Sequence, residues 1–579
     1  IVEYLLSLEG VEVNRRSRFG KAPLIAASRA GDENICRLLL DKGAVINLQA
    51  NDNDTALTAA SECGKLSVVQ TLLKHGADTE IVGRLGGNAL LAAAVCREGQ
   101  WAEIIKLLAR AEANLDTQDT VKDTALHMAA QAGELDMVRF LVMKKAKVSI
   151  QNIAGKTALD FACAGNQTKI IEYLLKSGAT CEPDTSGRTE LHEGIDGGCD
   201  VDILKLFVSK GVDVNAKDND GISKFLDLLI ASSPLLTSEG ALHLAARRGE
   251  HAIVQVLIDA EADMNIKSSS DQTLLHEAAR GGSADVVRRF LTYGVDIEAR
   301  NKDEQTPLAV ACCEPEGSDD VVRVFLDAGA KVVVADKWGY TPLHRLAGNM
   351  RRSAAMMLLE TGNVDMTART NSDLSFLDLA AQSGDYELVR SLLEHGAGTQ
   401  LEAASKQTPL HLAVMAEKQD KVYAIVERLL DEGCDVNARD DHGCTPLHAY
   451  LGLKEGKENI VRLFFSRGAD IDVQDNDGDT VLNCLAEYQQ PSEPILRLLL
   501  KNGADVNLCN YEGMTPLHNL ARSGLASHVR IILEAGANPM ARDKHNRQPI
   551  QYAAKTNEAT VRALLDFKAD VNVTGSDWP

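Results

Sequence analysis

One position recurs along this chain at nearly constant spacing. It opens a short stretch that reads TPLH at 341, 408, 445 and 515. Its equivalents fall at Ala22, Thr55, Asn88, Thr124, Thr157, Thr189, Gly240, Thr273, Thr306, Ser375, Thr480 and Gln548. Successive gaps run from 32 to 37 residues, apart from one of 51 between Thr189 and Gly240. Such a period constrains the fold before any single motif does. A unit this small cannot bury its own apolar face, so neighbouring units must supply the core. A single ordinary core also stops growing near about 250–300 residues, and this chain has 579.

Each unit has a readable grammar. Thr is a good N-cap, and Pro at the next position has a φ suited to the first helical turn. Thr408–Ala413, "TPLHLA", therefore opens a helix, short and rich in small residues such as Ala278 and Ala279. Glycine ends it, at Gly249, Gly281, Gly384 and Gly524. A second helix carries apolar residues on one side, as at Val286, Val287, Phe290 and Leu291. It stops at a further glycine such as Gly76 or Gly503, suited to a left-handed position. A short extended "DVN" and an Asp-x-x-Gly turn then lead to the next Thr.

These residues resemble the ankyrin repeat. The intact TPLH stretches carry the likeness, as does "GADVN" at Gly503–Asn507, with near copies from Gly211 and Gly433. The resemblance covers essentially the whole chain. It implies an all-α solenoid of about 16 helix-turn-helix units. It also implies β-turn fingers along one edge and a concave face built from fingertips and first helices. It further implies protein–protein recognition without intrinsic catalysis.

Departures from the pattern divide the chain. We expect an N-terminal block over 1–217 that starts within a repeat, and a C-terminal block over 240–579 that ends within one. Between them, 218–239 reads as a half-repeat or inserted loop. It begins like a unit, at Asp218, Gly221 and Ser223, then offers one helix and a stop at Pro234. The extra residues near 96–101 and 416–423 fit longer turns between paired helices. Neither end reads as a polar cap, so the expectation is a piece of a longer chain.

Composition removes several classes of function. The 61 basic and 83 acidic residues leave a net charge of −22, which disfavours nucleic acid and anionic membrane surfaces alike. No apolar run approaches a membrane span, and no basic n-region marks a signal peptide. Cysteine is sparse, at 12, and irregularly spaced, so an intracellular, cytoplasmic setting is expected. Aromatics are only 4%, so the core must be mostly Leu, Ile, Val and Ala.

"CDVNARDDHGCTPLH", Cys434–His448, holds the residue types that zinc prefers. Its counterparts at 330–344 and 504–518 place Ala at the Cys434 position, Tyr or Met at that of Cys444, and Trp or Glu at that of His442. Only His448 recurs, and the spacing is not that of a zinc motif. No metal is expected. Eight histidines share the fourth TPLH position: His127, His192, His243, His276, His344, His411, His448 and His518. Each alone could be a general base. Eight in one repeated position read instead as a tie between imidazole, Thr and nearby backbone. "GLKEGKEN" from Gly452 is one residue short of a phosphate loop and has Glu458 where Ser or Thr is needed. Cys312–Cys313 reads as packing and turn, and the sequons at Asn53, Asn166 and Asn572 as chance. No catalytic residue, cofactor or small-molecule substrate is assigned.

What remains is a recognition surface. Most tips are polar, as at Asn51–Asp54, Asn219–Asp220 and Asp475–Asp477. Two neighbouring tips differ. One carries Arg300 and Lys302; the next carries Lys337, Trp338, Tyr340 and Arg345. Trp, Tyr and Arg dominate interface energetics, and the basic spot points to an acidic segment of a partner protein. Tyr511 and, more weakly, His545–Arg547 join by the same argument. The leading expectation is a protein-binding scaffold. The alternative is the sensor or substrate-docking arm of a larger signalling protein, NTPase, channel or enzyme.

Overall fold

The structure is a computed structural model describing residues 2–6, 8, 10–96, 99–218, 240–315, 317–399, 405–416, 421–453, 457–487 and 491–571. Among these residues it is all-helical, with thirty-three helices and no strand. The helices alternate as the repeat requires, a short first helix and a longer second one. At Thr306 the hydroxyl accepts from the Ala309 amide at 3.2 Å, and Pro307 occupies the first helical position.

At His127, His411, His448 and His518 the cap extends into the next unit. The amide and hydroxyl of Thr515 meet His518 Nδ1 at 3.1 and 2.9 Å, and Nε2 reaches the Arg547 carbonyl at 3.1 Å. His127 joins Thr124 to the Lys156 carbonyl, and His411 joins Thr408 to that of Cys444. The nitrogen facing a carbonyl must carry a proton, and the one facing the Thr backbone N–H must accept. The imidazole is therefore neutral, and it bridges two units from a buried position.

The hairpins depart from the expected extended stretch. Val506 and Asn507 lie in a turn, because Asp505 folds back to accept the Asn507 amide at 2.8 Å. Such Asx turns outcompete an extended backbone. Asn507 then clamps the following unit, donating to the Gly536 carbonyl at 3.2 Å and accepting from the Asn538 amide at 2.8 Å. Backbone bonds lace several neighbouring fingertips together. The Lys337 amide donates to the Asp303 carbonyl at 3.0 Å, Asn371 to Trp338 at 2.9 Å, and Tyr511 to Asp477 at 2.9 Å.

The core follows the composition, with Leu, Ile, Val and Ala throughout. Its largest fully buried side chains are nevertheless Phe207, Phe290, Phe325, Phe376 and Phe464. Gly249 and Gly384 end their helices in the left-handed region, at φ 70° and 76°. Gly281 does not; Gly282 takes that role at φ 69°. Gly281 is instead required by close approach, since a Cβ there would lie 2.0 Å from the Arg247 carbonyl oxygen.

The chain divides into two units, Ile1–Val295 and Asp296–Pro579. In the first, helices Pro23–Ala30, Ala56–Glu62 and Ala89–Cys96 pack in sequence. In the second, Pro342–Gly348, Phe376–Ser383, Pro409–Met415 and Pro446–Leu453 do the same. Residues 219–239, which hold most of the expected irregular segment and the Asn219–Asp220 tip, lie outside the described residues. So do 97–98, 417–420 and Asn572.

Candidate interaction surface

The Trp338 finger is built on Asp336. Its side chain is buried, and Oδ1 accepts from the amides of Trp338 at 3.0 Å and Tyr340 at 2.9 Å. A carboxylate accepting two amides fixes the loop that carries both aromatics. The other oxygen, Oδ2, takes the guanidinium of Arg345, with Nε at 3.2 Å. Held there, Arg345 lies 4.1 Å from the Tyr340 ring centroid and 5.5 Å from that of Trp338. Lys337 sits 4.3 Å from the Trp338 centroid. The result is a cation–aromatic stack that presents an indole 44% exposed. Below it, Tyr340 packs edge-on against His344, which leans on Phe376.

The structure thus brings Lys337, Trp338, Tyr340 and Arg345 together. The basic spot, however, arrives with its own counter-charges. Lys337 pairs with Asp303 of the preceding finger, Arg345 with Asp336, and Arg300 with Glu304 at 3.2 Å. Lys302 is exposed. Tyr511 is 70% exposed but stands on a separate finger, with those ending at Ser375, Thr408, Thr445 and Thr480 in between. Arg547 repeats the clamp of Arg345. It pairs with buried Asp543 at 2.9 Å and lies 4.9 Å from the Tyr552 centroid, and the Tyr552 hydroxyl donates to the same Asp543 at 2.6 Å. One exposed finger escaped the sequence reading: Arg15, Arg16, Arg18 and Phe19, visible as "RRSRFGK".

The other candidates are absorbed by the scaffold. Cys434 Sγ points to the Thr399 carbonyl, Cys444 Sγ to Asp475, and His448 to Thr445 and the Val473 carbonyl. These side chains do not converge, and no metal-holding group occurs among the described residues. Burial pushes both thiols up to about 12. Burial also lowers the pKa of His127, His448 and His518, and that of His344 to about 4. Such rings remain neutral structural ties. Lys454–Gly456 of the phosphate-loop-like stretch lie outside the described residues, and Glu458 opens a helix. No described helix is long and apolar enough to cross a membrane.

Comparison with known families agrees with this geometry. A family model described as "Ankyrin repeats (3 copies)" matches residues 1–83, 242–336, 377–475, 450–543 and 487–575. The chain belongs to the ankyrin-repeat family. Two further ankyrin models match 126–175 and 186–219. Among similar proteins, a B-cell lymphoma 3 protein homolog from Mus musculus is 29% identical over 194 residues, covering 30% of this chain and 43% of the relative. The human transient receptor potential cation channel subfamily A member 1 is 26% identical over 204 residues, 34% of this chain and 18% of the channel. The Gallus gallus nuclear factor NF-kappa-B p105 subunit is 28% identical over 179 residues, 29% of this chain and 16% of that protein. The matched region is thus less than half of each of these relatives. Ankyrin repeats are protein-interaction modules, and here they occur in proteins with very different names.

Proposed function

We propose that this chain is a scaffold that binds partner proteins through its fingers and first helices, with Trp338, Tyr340 and Arg345 as its principal anchor. One observation carries the reading: an indole left 44% exposed on a finger whose backbone is fixed by a buried carboxylate. Exposed aromatics flanked by Arg are the side chains from which binding energy is drawn. Their immobility keeps the ordering cost low. Because the neighbouring cations are already paired, the anchor selects by shape and apolar contact, with electrostatics secondary. The test replaces Tyr340 with a photo-crosslinking residue in the full chain. Specific protein adducts at 340, absent from a control crosslinker at exposed Asp202, support the reading. Equal labelling at both positions contradicts it.

The chain acts in this reading without chemistry of its own, inside the cell, where the free thiols of the described cysteines would persist. ATP or peptide turnover by the purified chain would contradict that. A second reading is favoured by coverage: because the matches take in less than half of each relative, the array serves as the docking arm of a larger protein. Sequencing the full-length transcript decides between the two.

A further inference from the structure

We propose that the finger Asn14–Lys21 docks an acidic peptide segment of a partner protein, gripped by Arg15, Arg16 and Arg18 with Phe19 as its apolar contact. This rests on the protein-interaction reading above and gives it a second place and a ligand chemistry. The three arginines lie within four positions, all exposed. None has an ion pair or hydrogen bond from its side chain among the described residues, and only Lys21 of the finger is paired, with Asp52 at 3.6 Å. The cations of the Trp338 finger are neutralised by neighbouring carboxylates; among the described residues these are not. Phe19, between them and the turn glycine, is 70% exposed.

The finger is a built surface. Asn14 donates to the Gly43 carbonyl at 3.2 Å and accepts from the Val45 amide at 2.7 Å, fastening the base to the next unit. Ser17 closes the turn. Its amide donates to the Lys21 carbonyl at 2.9 Å, and its hydroxyl accepts from the Lys21 amide at 3.2 Å. Gly20, at φ 73°, sits so close to the following finger that a Cβ would lie 2.1 Å from Asn51 Oδ1. Beside the finger lies an open cleft of about 630 Å³ whose lining holds three cations, Arg15, Arg16 and Lys21, against one carboxylate, Glu12, with Pro23 and Ala26 as its apolar floor. The backbone carrying the arginines is therefore ordered before anything binds, which lowers the cost of association.

Charge selects the ligand. A guanidinium pairs with a carboxylate through two parallel hydrogen bonds. Three of them on a chain of net charge −22 form a local attractor inside a repelling field. Extended polyanions, nucleic acid or an anionic membrane, would meet that field over their whole length. A short run of Asp or Glu with one apolar residue meets only the finger.

Fluorescence anisotropy tests this with the full chain and a labelled peptide of glutamates flanking one leucine. Its glutamine counterpart, a DNA oligonucleotide and phosphatidylserine vesicles serve as the other arms. The combined Arg15→Gln, Arg16→Gln, Arg18→Gln variant should weaken binding of the glutamate peptide by at least about tenfold, with a steep salt dependence. Lys144→Gln with Lys176→Gln, two exposed cations away from either finger, should leave it unchanged. All these side chains are exposed, so melting curves should overlay. Unchanged affinity in the triple variant, equal binding of the glutamine peptide, or preference for DNA or vesicles overturns the proposal. Absence of peptide binding while crosslinking at 340 persists overturns this inference alone. Loss of both removes the scaffold reading as well.

Discussion

Glu190 occupies the position that Pro fills in TPLH, at the start of helix Glu190–Gly197. It is fully buried, and among the described residues neither carboxyl oxygen meets a partner beyond its own backbone amide. Burial, reinforced by the nearby Asp160, raises its pKa from 4.5 to about 8. The sign of the consequence follows from linkage. Below about pH 4.5 folded and unfolded chains both hold the proton. Between 4.5 and 8 the folded chain keeps a proton that the unfolded chain has released, so stability falls as pH rises. At 1.36 kcal/mol per pH unit, the loss by pH 7 is about 3 kcal/mol, an upper figure if the site relaxes around the charge. Glu190→Gln mimics the protonated acid and removes this slope. The variant should match the parent near pH 4.5 and exceed it by about 3 kcal/mol at pH 7. A repeat array opens locally, so the readout is hydrogen exchange of peptides covering 190–197, corrected for intrinsic rates. Parallel pH profiles in the two proteins would refute the reasoning.

Other outcomes follow from the same geometry. Leu343, fully buried on the first helix of the Trp338 unit, should cost about 2–5 kcal/mol when truncated to Ala, read as a lowered melting temperature of that unit. Replacing Cys434 and Cys444 together by Ala should cost about 1–2 kcal/mol through lost packing; elemental analysis should find no stoichiometric zinc in either protein, and a zinc signal lost in the double variant would contradict this.

Local order was largely legible in the residues. The period, the Thr caps, the two-helix unit and the histidine ties follow from short-range rules, since each partner lies within a few positions or one repeat away. Other features depend on which atoms adjacent fingers present to one another. The pairing of Lys337 with Asp303 spans 34 residues, and nothing in "KWGYTPLHR" announces it. With Arg300–Glu304 and Arg345–Asp336, that pairing gives counter-charges to three of the four cations read at these tips. The "DVN" stretch looked extended because Val favours strands, but the Asp before it holds the following amide and wins locally. Gly281 and Gly282 are adjacent glycines, and only the position of the Arg247 carbonyl distinguishes the crowded one from the left-handed one. The arginine finger at 15–18 was written in the sequence; that it has no counter-charge among the described residues needed the fold.

The most direct test of the scaffold account is the affinity of Trp338→Ala, measured beside its melting curve, for a partner recovered by crosslinking at 340. Removing an anchor of this kind should weaken binding by about 2 kcal/mol or more, roughly thirtyfold, while the melting temperature stays within a few degrees. The side chain is nearly half exposed, and its finger is held by Asp336 through backbone amides that the substitution keeps. A variant that binds like the parent but melts early would show that Trp338 serves packing and that recognition lies elsewhere on the repeat array.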